Sequence, residues 1–252
     1  MLPISVGAVW LGSWWFAAFL AVVCAAMCWE WAHLCSPGRI EVWSVMLVAG
    51  AAAPLLLHPL GFVAVLWVAA AAAATLLCLA FAGRLANPAV CIAGLPYVVV
   101  GISSAGWLRA DPVAGLTTVL WVVSSVVATD VGAFFVGRSV GGPKLAPRVS
   151  PNKTWSGLFG GMVSAGIAGA LTGAMIGGQW MLLFIGGVAL AVISQAGDLI
   201  ESSLKRKFKA KDASQLIPGH GGFLDRFDGY LTAMPAAALM SALSGGSPVT
   251  WQ

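Results

Sequence analysis

The chain has 252 residues, of which 60% are hydrophobic and only 9% charged, with a mean hydropathy of +0.92 and a formal net charge of +4. No water-soluble fold covers that much apolar surface, so a soluble domain is excluded and a polytopic membrane protein is indicated. At about 20 apolar residues per crossing, the length allows roughly eight spans and leaves no room for a separate soluble domain.

Residues 1–34 are apolar for longer than one span needs, which fits either one long tilted helix or a short re-entrant piece followed by a helix from about 11 to 34. The run lacks a basic start and outlasts a signal-peptide core, so it reads as a retained membrane segment. Glu30, between Trp29 and His33, reads first as an interfacial residue beside tryptophans, with part of a substrate entrance as the other reading. Further spans are expected at about 42–57, 62–82, 89–108, 113–137, 157–177, 180–204 and 226–245, separated by Gly, Pro or charged residues. The total is eight or nine in an all-α helix bundle. The organisation expected is one continuous membrane domain, with an N-terminal region over 1–110 and a C-terminal region over 111–252 that carries the catalytic motifs.

The five cysteines, Cys24, Cys28, Cys35, Cys78 and Cys91, lie within or at the ends of apolar runs with no CxxC pair. They read as small packing residues, without disulfide or zinc chemistry. Gly157, Gly160 and Gly161, with Gly166 and Gly169 beyond them, suggest closely packed helices. His33 and His58 are isolated and take no role.

Charge is concentrated in 197–228, which holds six of the thirteen Lys and Arg and five of the nine acids. Charge near lipid is costly unless paired, so one place carrying both signs suggests a cation held together with an anionic ligand. Arg39, Arg84, the loop with Arg138, Lys144, Arg148 and Lys153, and the loop from Lys205 to Arg226 are separated by even numbers of spans. They therefore share a side, the cytoplasmic one by the positive-inside rule, and only Arg109 faces the other way.

Asp198 lies inside the end of a span, with Ser202 (i+4) and Lys205 (i+7) on the same helix face. Asp225 and Asp228, three apart at the start of the last span, can face one point. They are also ordinary residues for a helix N-terminus. The His220-Gly221-Gly222 turn before them would bring backbone N–H groups to a helix N-terminus, a geometry suited to phosphate. Asp130 is the one acid of its span and therefore a site candidate, with a hydrogen bond between helices as the plain alternative. The basic loop after it would at the least contact anionic headgroups. Carboxylates suited to Mg²⁺ among Lys and Arg at the water edge of a helix bundle suit chemistry on phosphate esters, with one substrate in water and one in lipid.

The run Ser202-Ser203-Leu204-Lys205-Arg206, then Lys211-Asp212, Ser214, Ile217-Pro218 and His220-Gly221-Gly222-Phe223-Leu224-Asp225-Arg226-Phe227-Asp228 resembles the signature of the phosphatidate cytidylyltransferases, or CDP-diacylglycerol synthases. The resemblance extends upstream through Gln195-Ala196-Gly197-Asp198, Ser150-Pro151-Asn152-Lys153-Thr154 and Asp130 with Gly137-Arg138. It departs at Ser156, where that family usually has Glu, and the N-terminus reads as short.

The resemblance implies transfer of a cytidylyl group from CTP to phosphatidate, giving CDP-diacylglycerol and pyrophosphate with Mg²⁺ as cofactor. Asp198 and Asp225 would coordinate the metal, with Asp228 in support and Ser202 completing the shell. Lys205, Arg206, Lys211, Arg226 and Lys153 would bind the triphosphate or the lipid phosphate. Asp130 and Lys144 are further substrate-binding candidates, and His220, Gly221 and Gly222 would shape the turn that faces the phosphates. An integral protein of a bacterial-type inner membrane is implied, with its active site facing the cytoplasm, membrane lipid around it, a possible homodimer, and no nucleic-acid partner. The competing readings are a CTP-dependent nucleotidyltransferase acting on another lipid phosphate and an ion-coupled transporter with Asp130 and Asp198 as ion sites.

Overall fold

The computed structural model describes residues 2–250 apart from Pro218 and His220, with the side chains of Leu2 and Pro3 also outside the described set. His220, expected to shape the phosphate-facing turn, therefore lies outside the described residues. Among the described residues the chain forms nine α-helices and one small hairpin: α1 (Leu2–Leu11), α2 (Ser13–Cys35), α3 (Ile40–Leu60), α4 (Phe62–Phe81), α5 (Pro88–Arg109), α6 (Gly115–Val140), β1 (Lys144–Ala146), β2 (Ser150–Thr154), α7 (Trp155–Met175), α8 (Trp180–Lys207) and α9 (Leu224–Leu243). Seven of them, α2 to α8, are long and apolar enough to cross a membrane. Each span expected after residue 40 falls on one helix, the last, 226–245, on α9, which is not among those seven.

The apolar N-terminal run resolves into two helices. The chain turns at Gly12 and Ser13, both at positive φ, which leaves the last carbonyls of α1 without helical partners. Arg109, at the far end of α5, donates from Nε to the Val9 carbonyl at 2.8 Å and so satisfies one of them.

The helices cluster into two compact units. One comprises residues 2–110 and 205–227, the other 111–204 and 228–250. In the first, α2 to α5 pack on one another around buried Met27, Met46, Leu76 and Leu95. Large residues such as Trp67 and Phe81 on α4 remain exposed, as lipid-facing positions do. The cysteine expectation is corrected here for one pair. Cys35 and Cys91 form a disulfide with Cα atoms 6.0 Å apart, tying the end of α2 to the start of α5. Cys24 and Cys28 are buried and free, and Cys78 is exposed.

In the second unit, α7 lays its glycines against α6: Gly157 and Gly161 approach the carbonyls of Ala133 and Thr129. The basic loop between these helices contains structure that composition did not announce. Strands β1 and β2 pair antiparallel, with Lys144 opposite Thr154 and Ala146 opposite Ser150. Thr154 then caps α7, its Oγ1 accepting from the Gly157 N–H at 3.1 Å.

Candidate active site

One face of α6 carries Asp130, Phe134, Gly137 and Arg138, which recur at helical spacing and, with Gly141 just past the end of the helix, line a cleft of about 570 Å³. Lys144 and Lys153 of the hairpin and Gln195 and Asp198 of α8 line it too. Lys153 crosses to α8, its Nζ 2.5 Å from Asp198 Oδ2, with both side chains largely shielded from solvent. Ser156, at the position where a Glu was expected from the resemblance, donates to the Gly141 carbonyl at 2.5 Å and shares a 3.0 Å hydrogen bond with Thr154 Oγ1. Its hydroxyl thus ties the start of α7 to the chain leaving α6.

On α8 the helical period brings Asp198, Glu201 and Ser202 together. Ser202 donates its hydroxyl to Asp198 Oδ1 at 3.1 Å. Asp228, from the first turns of α9, completes an acidic group in which carboxylate oxygens of Asp198, Glu201 and Asp228 all lie within 4.8 Å of one another. Gly197 makes this meeting possible, since a Cβ there would stand 2.7 Å from the Asp228 carbonyl oxygen and 2.5 Å from Thr232 Oγ1. The approach is fixed by Thr232, whose hydroxyl donates to the Ile193 carbonyl at 2.9 Å. Three carboxylates at this separation repel unless positive charge or protons join them. An all-oxygen donor set of this kind fits a hard divalent cation such as Mg²⁺.

The signature loop is organised around two other carboxylates. Asp225 accepts from Lys205 Nζ at 2.7 Å, from the Gly222 N–H at 2.7 Å and from the Ala213 N–H at 3.0 Å. Asp225 stands ahead of the apolar run of α9. Burial alone would raise its carboxyl, but the hydrogen bonds from Lys205, Gly222 and Ala213 outweigh that and hold it below the usual aspartate range. Glu30, from α2, is fully buried. It accepts from the Ser214 hydroxyl at 2.5 Å, the Phe223 N–H at 2.9 Å and the Leu224 N–H at 2.8 Å.

The two glycines of the turn are required by these acids. A Cβ on Gly222 would sit 2.6 Å from Glu30 Oε1, and one on Gly221, already at φ 81°, 2.8 Å from Asp225 Oδ2. Glu30 is fully buried and anchors the loop. One expectation is corrected by this geometry. The N–H groups of Gly222, Phe223 and Leu224 serve the protein's own carboxylates, so the turn does not hold them open for phosphate.

The remaining basic candidates lie at the surface. Lys144 starts β1, Lys211 lies in the loop, Arg206 is in the last turn of α8 with a 3.5 Å hydrogen bond to the Ala210 carbonyl, and Arg226 is in the first turn of α9. One residue of the site, Glu201, was not singled out from sequence, although it carried a readable signal, being three residues after Asp198 on the same face. Glu30 was noted, but its role in holding the loop was not readable, because its partners are 184 to 194 residues away.

The family model described as "Cytidylyltransferase family" matches residues 1–244. The chain is 37% identical over 247 residues to a phosphatidate cytidylyltransferase of Brucella suis biovar 1, covering 95% of this chain and 89% of that protein. It is 39% identical over 269 residues to one from Pseudomonas aeruginosa, covering 98% and 96%. A third, from Staphylococcus epidermidis, is 37% identical over 152 residues, covering 59% and 57%.

Proposed function

The chain belongs to the cytidylyltransferase family, and from that premise we propose that it transfers the cytidylyl group of CTP to phosphatidate, releasing pyrophosphate and leaving CDP-diacylglycerol in the membrane. The observation that carries this reading is the carboxylate group of Asp198, Glu201 and Asp228 beside a cleft lined with Lys144 and Lys153. Asp198 of α8 belongs to both, so it joins the carboxylate group to the cleft.

An oxygen of the phosphatidate phosphate attacks the α-phosphorus of CTP, the new P–O bond forms, and the bond to the β-phosphate bridging oxygen breaks. The attacking group is already ionised at neutral pH, so no side chain need act as a base. Mg²⁺, held by Asp198, Glu201 and Asp228, would neutralise phosphate charge and help align the nucleotide. Ser202, bound to Asp198, orients that carboxylate. Lys153 is poised between Asp198 and the cleft to meet a phosphate, and Lys144 stands at the rim. Lys205, held by Asp225, offers a fixed ammonium, with Arg206, Lys211 and Arg226 as surface charges for the approaching anions. Catalysis in this scheme is alignment and charge compensation.

The positive-inside rule supports a site that faces the cytoplasm, where CTP is found. The test is a Mg²⁺ titration of turnover in three variants. Asp198→Asn and Asp228→Asn should each lower kcat at least a hundredfold while remaining folded and inserted. Glu201→Gln should raise the Mg²⁺ concentration needed for half-maximal rate. Near-normal rates and an unchanged Mg²⁺ requirement in all three would remove the assignment.

A further inference from the structure

The cleft beside α6 divides by chemistry. One part is basic and rich in glycine, with Gly137, Gly141, Lys144 and Lys153, and suits phosphates. The other is made by Asp130, Phe134 and Gln195, with the Arg138 guanidinium 5.9 Å from the centre of the Phe134 ring and so over one of its faces. Gln195 is only 6% exposed, yet among the described residues its amide makes no hydrogen bond, and it lines the cleft. The side chain is mostly buried while its unpaired amide lines the open cleft, so a group bound there would find both a donor and an acceptor. Asp130 likewise forms no hydrogen bond or ion pair among the described residues, and Phe134 follows it by one helical turn on the same cleft-lining face.

We propose that Asp130 and Gln195 read the base of the nucleotide, and that Phe134 stacks on it. Cytosine presents an amino donor next to a ring-nitrogen acceptor. A carboxylate accepts from the amino group, and an amide N–H donates to the ring nitrogen, so the pair matches that order. Uracil presents a carbonyl where cytosine has the amino group, and that oxygen would face the Asp130 carboxylate. The pair therefore favours cytosine over uracil, and aromatic stacking holds the ring without choosing between them. This inference rests on the reading of the cleft as the CTP site.

The test uses the full-length protein in detergent with Mg²⁺ and phosphatidate, measuring initial rates with CTP and with UTP for the wild type, Gln195→Met and Asp130→Asn. Gln195→Met should raise KM for CTP roughly tenfold or more and leave KM for phosphatidate unchanged. Asp130→Asn, whose amide can donate to a carbonyl, should narrow the CTP-to-UTP ratio of kcat/KM by roughly tenfold. Equilibrium binding of CTP without phosphatidate should weaken in parallel in Gln195→Met, and a variant that does not fold is replaced by Gln195→Asn. An unchanged KM for CTP together with an unchanged CTP-to-UTP ratio, in a wild type that turns over CTP, overturns the base-reading role alone. A wild type that uses no CTP at all overturns the functional reading, and this inference with it.

Discussion

A carboxylate buried next to lipid persists only where donors surround it, and Glu30 has three. Glu30→Ala leaves the Phe223 and Leu224 N–H groups without their acceptor, at a cost of about 1–3 kcal/mol each. Faster trypsin cleavage at Lys209 and Lys211, with a lowered Tm, is the expected outcome, and wild-type cleavage kinetics would refute the anchoring role. The Asp225 carboxyl is held below its unfolded value, so its pairing with Lys205 stabilises the loop fully above the unfolded aspartate pKa of about 4. That contribution is lost as pH falls through the lowered native value. Loop protection should thus survive to about pH 4 and fail below it, whereas Asp225→Asn should show loose loops with no such acid limb. Hydrogen exchange of 213–224 would read both. At this scale the sequence exposed acids standing alone in apolar runs, Asp130 and Asp198, because ionisable groups there are few. It could not expose which backbone N–H groups Asp225 and Glu30 consume, since that depends on packing between segments far apart in the chain.

Helices were legible because each apolar run is bounded by Gly, Pro or charge, and Ile40–Leu60 or Phe62–Phe81 needs nothing further to be read. The break between α1 and α2 was one of two readings, decided by positive φ at Gly12 and Ser13. The β1–β2 hairpin was hidden because Ser150-Pro151-Asn152 has turn composition, and its strand character comes from pairing with Lys144–Ala146. The Cys35–Cys91 disulfide was hidden for a similar reason: the partners are 56 residues apart and meet only through the packing of α2 with α5. Thiol labelling of the denatured protein should modify three cysteines without reductant, Cys24, Cys28 and Cys78, and all five after reduction. Five labelled thiols without reductant would contradict the bridge.

For the whole molecule, an enzyme joining a lipid phosphate to a nucleotide needs its charged groups at one membrane face, whereas an ion-coupled transporter needs a route to both. Twelve of the thirteen basic residues fall in loops or helix ends that the positive-inside rule assigns to a single side, and the acids Asp198, Glu201 and Asp228 gather in one group, which favours the enzyme. The most direct test of that claim is release of labelled pyrophosphate from CTP by the purified protein in detergent, with and without phosphatidate and Mg²⁺, and with Asp198→Asn as control. The expected result is release that requires both additions and disappears in the variant. Folded protein that releases no pyrophosphate under any of these conditions would contradict it.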